Sequence, residues 1–214
     1  MFKTTPLRTF YALLLLAGMG FLEGCSQTSV NKTWTAPDVS SLKFTKLFVL
    51  VLAEDDFNRR LAESALSEQF TTIPTVFATT VLPDITDTKK KAKVLEAIKS
   101  AQADGIIVMR LAQSDQAFSY GPNMARPMEY ETFSGYYDKV YDVSAYYAQD
   151  RRSINAETTY GVETNIYDGK TEKLVWSGQT RSKRDMTNDR DVRGLATEVA
   201  LTMKTTLKSQ NLIP

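Results

Sequence analysis

Lys46–Leu52 reads K-L-F-V-L-V-L, and this run limits the fold more than any other stretch of the chain. Successive side chains of a strand point to opposite faces, so a strand that is apolar at every position must be covered on both. Ile106–Leu111 (I-I-V-M-R-L) has the same character. Between the two runs the apolar period is helical. Phe57, Leu61, Ala65 and Leu66 recur at helix spacing, which puts Arg59, Arg60, Glu63 and Glu68 largely on the other faces. Glu54-Asp55-Asp56 suits the start of that helix, where the dipole favours negative charge. Pro74 stops the pattern, and the β-branched stretch Thr75–Thr80 reads as a second strand. Asp87 can cap a second helix running to about Ser100, with Val94, Leu95, Ile98 and Ala101 as its apolar face. Strand, helix, strand, helix, strand predicts an α/β sheet with parallel neighbours and right-handed crossovers.

After Leu111 the pattern breaks. An insert of about 114–155 holds Gly121-Pro122, Pro127, Gly135 and many tyrosines, among them Tyr120, Tyr130, Tyr136, Tyr137, Tyr141, Tyr146 and Tyr147. Tyrosine offers apolar area with a polar tip and is enriched at binding surfaces. Tyr130, Tyr136 and Tyr137 are the candidate binding residues, and the last two, beside flexible Gly135, are the best candidates for exposed contact; the alternative reading is that some of the tyrosines extend the hairpin and fold over the core. Val140–Tyr147 is weakly strand-like. Order returns with a hairpin: Glu157–Tyr167, the turn Asp168-Gly169-Lys170, and Lys173–Thr180, with Val175 and Trp176 at the centre of the second arm. Val192, Leu195, Ala196, Val199, Met203 and Leu207 mark a carboxy-terminal amphipathic helix, with Asn188 as its cap. The expectation is one α/β domain over residues 45–214, in two or three layers on a mixed sheet.

The chain begins differently. Lys3 and Arg8 precede an apolar run from Phe10 to Leu22, which meets Glu23-Gly24-Cys25. Positive start, apolar stretch and small residue before a cut site describe a secretory signal over residues 1–24. The run is shorter than the roughly 20 apolar residues that a membrane-spanning helix needs. Leu22-Glu23-Gly24-Cys25 resembles the lipobox of bacterial lipoproteins, although Glu23 stands where a small residue is usual. The resemblance implies cleavage between Gly24 and Cys25, diacylglycerol on the Cys25 sulfur and acylation of the new amino terminus. Cys25 is the only cysteine in the chain, and it lies at the one position a lipobox requires. Ser26 follows where an Asp would signal inner-membrane retention, so by the same resemblance the address is the periplasmic side of the outer membrane. Residues 25–44 are expected to be lipidated Cys and polar tether.

Charge and residue types narrow the function. The chain is formally +1, and removing Lys3, Arg8 and Glu23 leaves the mature part neutral, so its total charge shows none of the basic excess that binding nucleic acid calls for, which leaves only a local basic patch. The absence of histidine excludes a Ser-His-Asp triad. Zinc sites normally use Cys and His, which the soluble part lacks, so no metal and no cofactor is expected. No G-x-S-x-G elbow and no Gly-rich phosphate loop is present. Glu129, Glu131, Glu157 and Glu163 leave carboxylate chemistry open, and a glycan hydrolase is the enzymatic alternative. Lys89, Lys90, Lys91 and Lys93 read as a solvated helix face rather than a polymer-binding patch.

Ala103-Asp104-Gly105-Ile106-Ile107-Val108, then Glu163-Thr164-Asn165-Ile166-Tyr167-Asp168 and Lys173-Leu174-Val175-Trp176-Ser177-Gly178, resemble a family of small bacterial lipoproteins. In outline these are similar to the amino-terminal domain of the Tol-system propeller protein and to lipoproteins that assist secretion or cell-wall synthases. The resemblance covers most of residues 45–210 and implies a fold and an envelope address, with no reaction and no catalytic residues. The expected role is non-enzymatic: a monomer held on the membrane by lipid, binding an envelope protein or a cell-wall polymer. A purely structural contribution to envelope integrity is a third reading. Cys25→Ala is expected to release the protein from the membrane, because no other segment is long and apolar enough to hold it there. Cell fractionation checks this, and firm attachment with unchanged processing would disprove the lipid anchor.

Overall fold

The computed structural model describes residues 28–53, 55–113, 131–138, 158–184 and 189–213. Among these residues six strands form one mixed sheet: β1 (Thr28–Thr35), β2 (Leu47–Leu52), β3 (Thr75–Phe77), β4 (Gly105–Gln113), β5 (Thr158–Asp168) and β6 (Leu174–Arg184), in the order β1-β6-β5-β4-β2-β3. β3, β2 and β4 run parallel, and β4–β5, β5–β6 and β6–β1 are antiparallel. The helices are α1 (Asp56–Ser67), the single turns α2 (Ala78–Val81) and α3 (Ile85–Thr88), α4 (Lys91–Ala101), a short α5 over 133–138, and α6 (Asp189–Ser209). The mixed α/β architecture expected from the sequence is the one found.

Both faces of the central strands are covered. On one, Phe48, Leu50, Ile106 and Val108 meet Val94 and Ile98 of α4 and Phe133, Tyr136 and Tyr137 of α5. On the other, Val49, Val51, Ile107 and Met109 meet Leu66 of α1 and Leu195, Val199 and Met203 of α6. The result is three layers. Trp176 lies in the second core, 2% exposed, with its Nε1 donating to Gln210 at 3.0 Å. A Cβ at Gly178 would run into that indole, which is why the strand carries glycine there. Gly169 has a related role in the β5–β6 turn. Its φ is not positive (Glu172 takes the left-handed conformation, φ 57°), but a side chain would strike the carbonyl of Ala103.

Several sequence expectations need correction. Thr28–Thr35 is not tether. It pairs with β6 along its length, with a bulge between Val30 and Lys32. Its Thr28 hydroxyl bonds Ser182 Oγ at 2.6 Å and Glu198 Oε2 at 2.7 Å, and Thr33 Oγ1 accepts from Gln210 at 2.9 Å. The domain therefore starts at least as early as Thr28. The second strand ends at Phe77, and Ala78–Val81 turns into helix. Asp87 does not cap α4: Asp84 caps the preceding turn, and Asp87 accepts from Lys90 and Lys93. Asp55 does cap α1, accepting from Asn58 N at 2.8 Å. Helix α1 buries Ala65 and Leu66 as expected, but the rest of its inner face differs. Phe57 is 55% exposed, whereas Arg59 and Glu63 are buried. Arg59 donates to the carbonyls of Leu82 and Pro83, and Glu63 accepts from Val51 N and from Thr79 N and Oγ1. These bonds join α1 to β2 and α2, and an apolar face could not supply them. Glu54, Val140–Tyr147 and Asn188 lie outside the described residues.

Asp104 fixes the starts of the two central strands. Its carboxylate accepts from Thr45 N, Thr45 Oγ1 and Lys46 N at 2.8–3.0 Å, while Asp104 N and Gly105 N donate to Lys46 O. Burial alone would raise its pKa, but the Lys46 and Thr45 donors outweigh it and hold the carboxyl below the usual Asp value. A carboxylate shifted down on folding stabilises above its unfolded pKa, and that contribution is lost as pH falls through the folded one. Asp104→Asn is expected to lower the urea midpoint at neutral pH, and its deficit relative to wild type should shrink from about pH 4 downward. Urea titrations of both proteins across that range check it.

Candidate functional site

The Tyr-rich insert was the expected site, and the structure divides it. Residues 131–138 are described, and 114–130 and 139–157 are not. Phe133, Tyr136 and Tyr137 fall at i, i+3 and i+4, one face of a helical turn. Thr132 Oγ1 accepts from Gly135 N at 3.1 Å, capping that turn. The turn is tied to the β5–β6 connection: Phe133 N donates to Glu172 O, Leu174 N donates to Glu131 O, and Ser134 Oγ bonds the Glu172 carboxylate. At its other end Asp138 pairs with Lys91 at 2.6 Å.

Tyr136 and Tyr137 are therefore core residues, 0% and 2% exposed, and not the exposed contacts expected from the neighbouring glycine. Their rings belong to an aromatic cluster. Phe133 sits edge-on to Tyr167 at 5.7 Å and 5.8 Å from Tyr137, and Tyr136 lies 6.0 Å from Tyr167. The physical reason is that Phe48, Ile106 and Tyr167 need cover, and α5 supplies it beside α4 and Ala78 of α2. The capping Thr132 with aromatics at helical spacing was the signal that could have revealed this. Tyr130, like Gly24 and Cys25, lies outside the described residues.

Beneath α5 is a polar cluster that sequence reasoning missed. Arg110 on β4 and Glu163 on β5 are register partners, 14% and 5% exposed at their side chains, and pair at 2.8 Å. Glu163 also accepts from Tyr136 OH at 3.3 Å and from Asn165 Nδ2 at 3.2 Å. Alternation puts Arg110, Glu163 and Asn165 on one face of the sheet, with Ser177 and Gln179 of β6 opposite Asn165 and Glu163. Ser177 and Gln179 are buried as well. The arrangement neutralises a carboxylate in the interior and fixes α5 to the sheet; it leaves Glu163 as a hydrogen-bond acceptor with three partners. Glu131 is exposed and Glu163 is buried, so these two described carboxylates do not face each other across a cleft; Glu129 and Glu157 lie outside the described residues. Of the four clustered lysines, Lys90 and Lys93 bond Asp87 and Lys91 bonds Asp138. Among the described residues no group of Cys, Asp and Glu side chains could hold a metal ion, and no helix is long and apolar enough to cross a membrane.

No family model matches the chain, and no curated protein matches it. Among solved structures it is similar to the PelC dodecamer from Paraburkholderia phytofirmans at 12% identity and TM-score 0.41, covering 82% of this chain and 96% of that one. It is similar to lipoprotein GNA1162 from Neisseria meningitidis at 14% identity and TM-score 0.35, covering 75% of this chain and 99% of that one. Protein XCC0632 from Xanthomonas campestris aligns at 11% identity and TM-score 0.23, over 82% of this chain and 87% of that one. At these identities and TM-scores none of them assigns a function to this chain.

Burial sets the expected cost of losing the rings. Truncating a buried aromatic removes its transfer free energy and leaves a cavity, about 3–5 kcal/mol in all. Tyr136→Ala and Tyr137→Ala are each expected to destabilise by that amount in urea unfolding. A loss of about half a kcal/mol, the usual size at an exposed position, would place the rings at the surface instead.

Proposed function

We propose that this chain is a lipid-anchored cell-envelope lipoprotein, held by Cys25 on the periplasmic side of the outer membrane, which binds or assembles with another envelope component and catalyses no reaction. The observation that carries the reading is the placement of the only cysteine. It ends a signal-like segment, matches the lipobox position, and precedes by three residues a strand built into the sheet. Two or more acyl chains make a stable anchor, since each buried CH₂ contributes about 0.8 kcal/mol. The fold adds a rigid body at the membrane surface.

The non-enzymatic part rests on how the acidic groups are used. Glu63, Asp104 and Glu163 each accept hydrogen bonds that join separate elements of the fold. Among the described residues no cleft flanked by carboxylates favours the hydrolase alternative. The likeness to the Tol-system domain expected from the sequence has no support in the structural comparisons and lends nothing to this reading.

The edge strand β1 offers the surface to test. Trp34 on it is 40% exposed. A photo-crosslinking residue at Trp34 in living cells is expected to capture one defined envelope protein or cell-wall fragment, and to lose it in the Cys25→Ala background. Recovery of no specific species from Trp34 or from exposed Leu201 on α6 would overturn the binding role.

A further inference from the structure

We infer, resting on the lipoprotein reading above, that the end of the sheet carrying Thr28 lies against phospholipid headgroups, with the β5–β6 turn directed away into water. The domain is then held end-on and close to the bilayer, with no free tether between. The first observation is a length. Three residues of chain reach at most about 10 Å, whatever their conformation. Thr28 is 6% exposed and locked to Ser182 and Glu198, so it cannot swing away from the fold to lengthen that reach.

Topology says what else is at that end. Thr28 pairs with Ser182 near the end of β6, Gln113 at the end of β4 pairs with Tyr160 near the start of β5, and Leu52 at the end of β2 pairs with Arg110. The starts of β1 and β5 and the ends of β2, β4 and β6 therefore share one end of the sheet. The Asp168–Lys173 turn and the shallow groove lined by Val39, Phe44, Asp104 and Lys170 are at the other. Lys183 is nine positions along β6 from Leu174, which separates the two ends by about 30 Å.

The second observation is independent of the cysteine. The exposed large apolar side chains of the described residues are Val30, Trp34, Phe57, Val81 and Leu201. Three of them are at the Thr28 end. Val30 is two residues into β1, at one edge of the sheet. Phe57 opens α1 directly beyond β2, and Val81 ends α2 beside the Arg59 contacts to Leu82 and Pro83, near the other edge. Arg60, Arg181 and Lys183 are exposed at the same end and suit anionic phosphates. Of the acidic side chains described there, Asp55 and Asp84 accept from backbone N–H groups as caps, Asp56 pairs with Arg59, and Glu198 accepts from Thr28. Apolar side chains at both edges with cations between them match an interface, where one environment is apolar and the next is charged.

The mature chain has no thiol once Cys25 is acylated, so single cysteines can be labelled cleanly. Full-length protein carrying Phe57→Cys, Lys183→Cys or Lys170→Cys would be labelled with a fluorophore and placed in phosphatidylethanolamine–phosphatidylglycerol vesicles containing headgroup spin-labelled lipid. All three positions are exposed. Quenching is expected to be several-fold stronger at 57 and 183 than at 170, and the contrast should vanish when ten Gly/Ser residues are inserted before Thr28. Equal quenching at all three, or strong quenching at only one of 57 and 183, overturns the end-on orientation while leaving the anchor intact. A purified chain whose mass shows no lipid, and which does not bind the vesicles, overturns the lipoprotein reading itself.

Discussion

The fold depends on two strands that have no polar face. Phe48 to Leu50 on β2 and Ile106 to Val108 on β4 are at most 2% exposed at every position. Such strands cannot stand at the surface of a two-layer structure, so helices must cover each side. The crossovers supply them. α1 leads from β2 out to β3 on one face, and α4 leads from β3 back past β2 to β4 on the other, as right-handed connections require when the direction of travel reverses. α6 and α5 then extend the two layers over the antiparallel half. Asp104 matters because it sets the register of the parallel pair at its start, where Leu47 meets Gly105.

Charge has been placed inside this frame at two seams. Glu63 on α1 receives donors from β2 and α2, and Glu163 on β5 receives them from β4 and α5. Burying a carboxylate is costly, and the cost is offset only where the donors are in place, so each group selects one arrangement of its neighbours. Glu63 shows the tension. Burial pushes its pKa up against the lowering effect of the Thr79 and Val51 bonds and of Arg59. A carboxyl shifted up on folding contributes stability that is full below its unfolded pKa and is lost as pH rises through the folded one. Asp84, Asp87, Asp104 and Asp168 are shifted down and act in the opposite sense, favouring the fold above the unfolded Asp range.

Runs and periods were legible in the sequence; partners across space were not. β2, β4, the hairpin and α6 follow from continuous apolar runs, a turn signal and a long helical stripe, each visible within one segment. Arg59, Glu63 and Tyr136 were misread for a common reason. A single helix shows which face is apolar, but not that Leu82 and Pro83 present bare carbonyls to it, or that Glu163 waits across the sheet for a hydroxyl. Gly135 suggested flexibility beside Tyr136, whereas its N–H serves the Thr132 cap. Of the candidate site, Cys25 and Gly24 were read from a motif that needs no tertiary context, and their surroundings lie outside the described residues.

The edge strand β1 joins these themes. T-S-V-N-K-T-W-T looks like tether because most of its side chains are polar and exposed. A strand at an edge needs little apolar content when its hydrogen bonds are made to an existing neighbour, and β6 provides that neighbour. A bulge and Lys32 break the regularity of its outer side, which discourages pairing with another chain. The bonds from Thr28 to Glu198 of α6 and from Gln210, just past the end of α6, to Thr33 fix the strand to the helical layer as well as to the sheet. A polar segment that composition alone assigns to a tether is thus part of the domain. Under the proposed lipid anchor, only three positions of sequence would separate Cys25 from a strand built into the sheet.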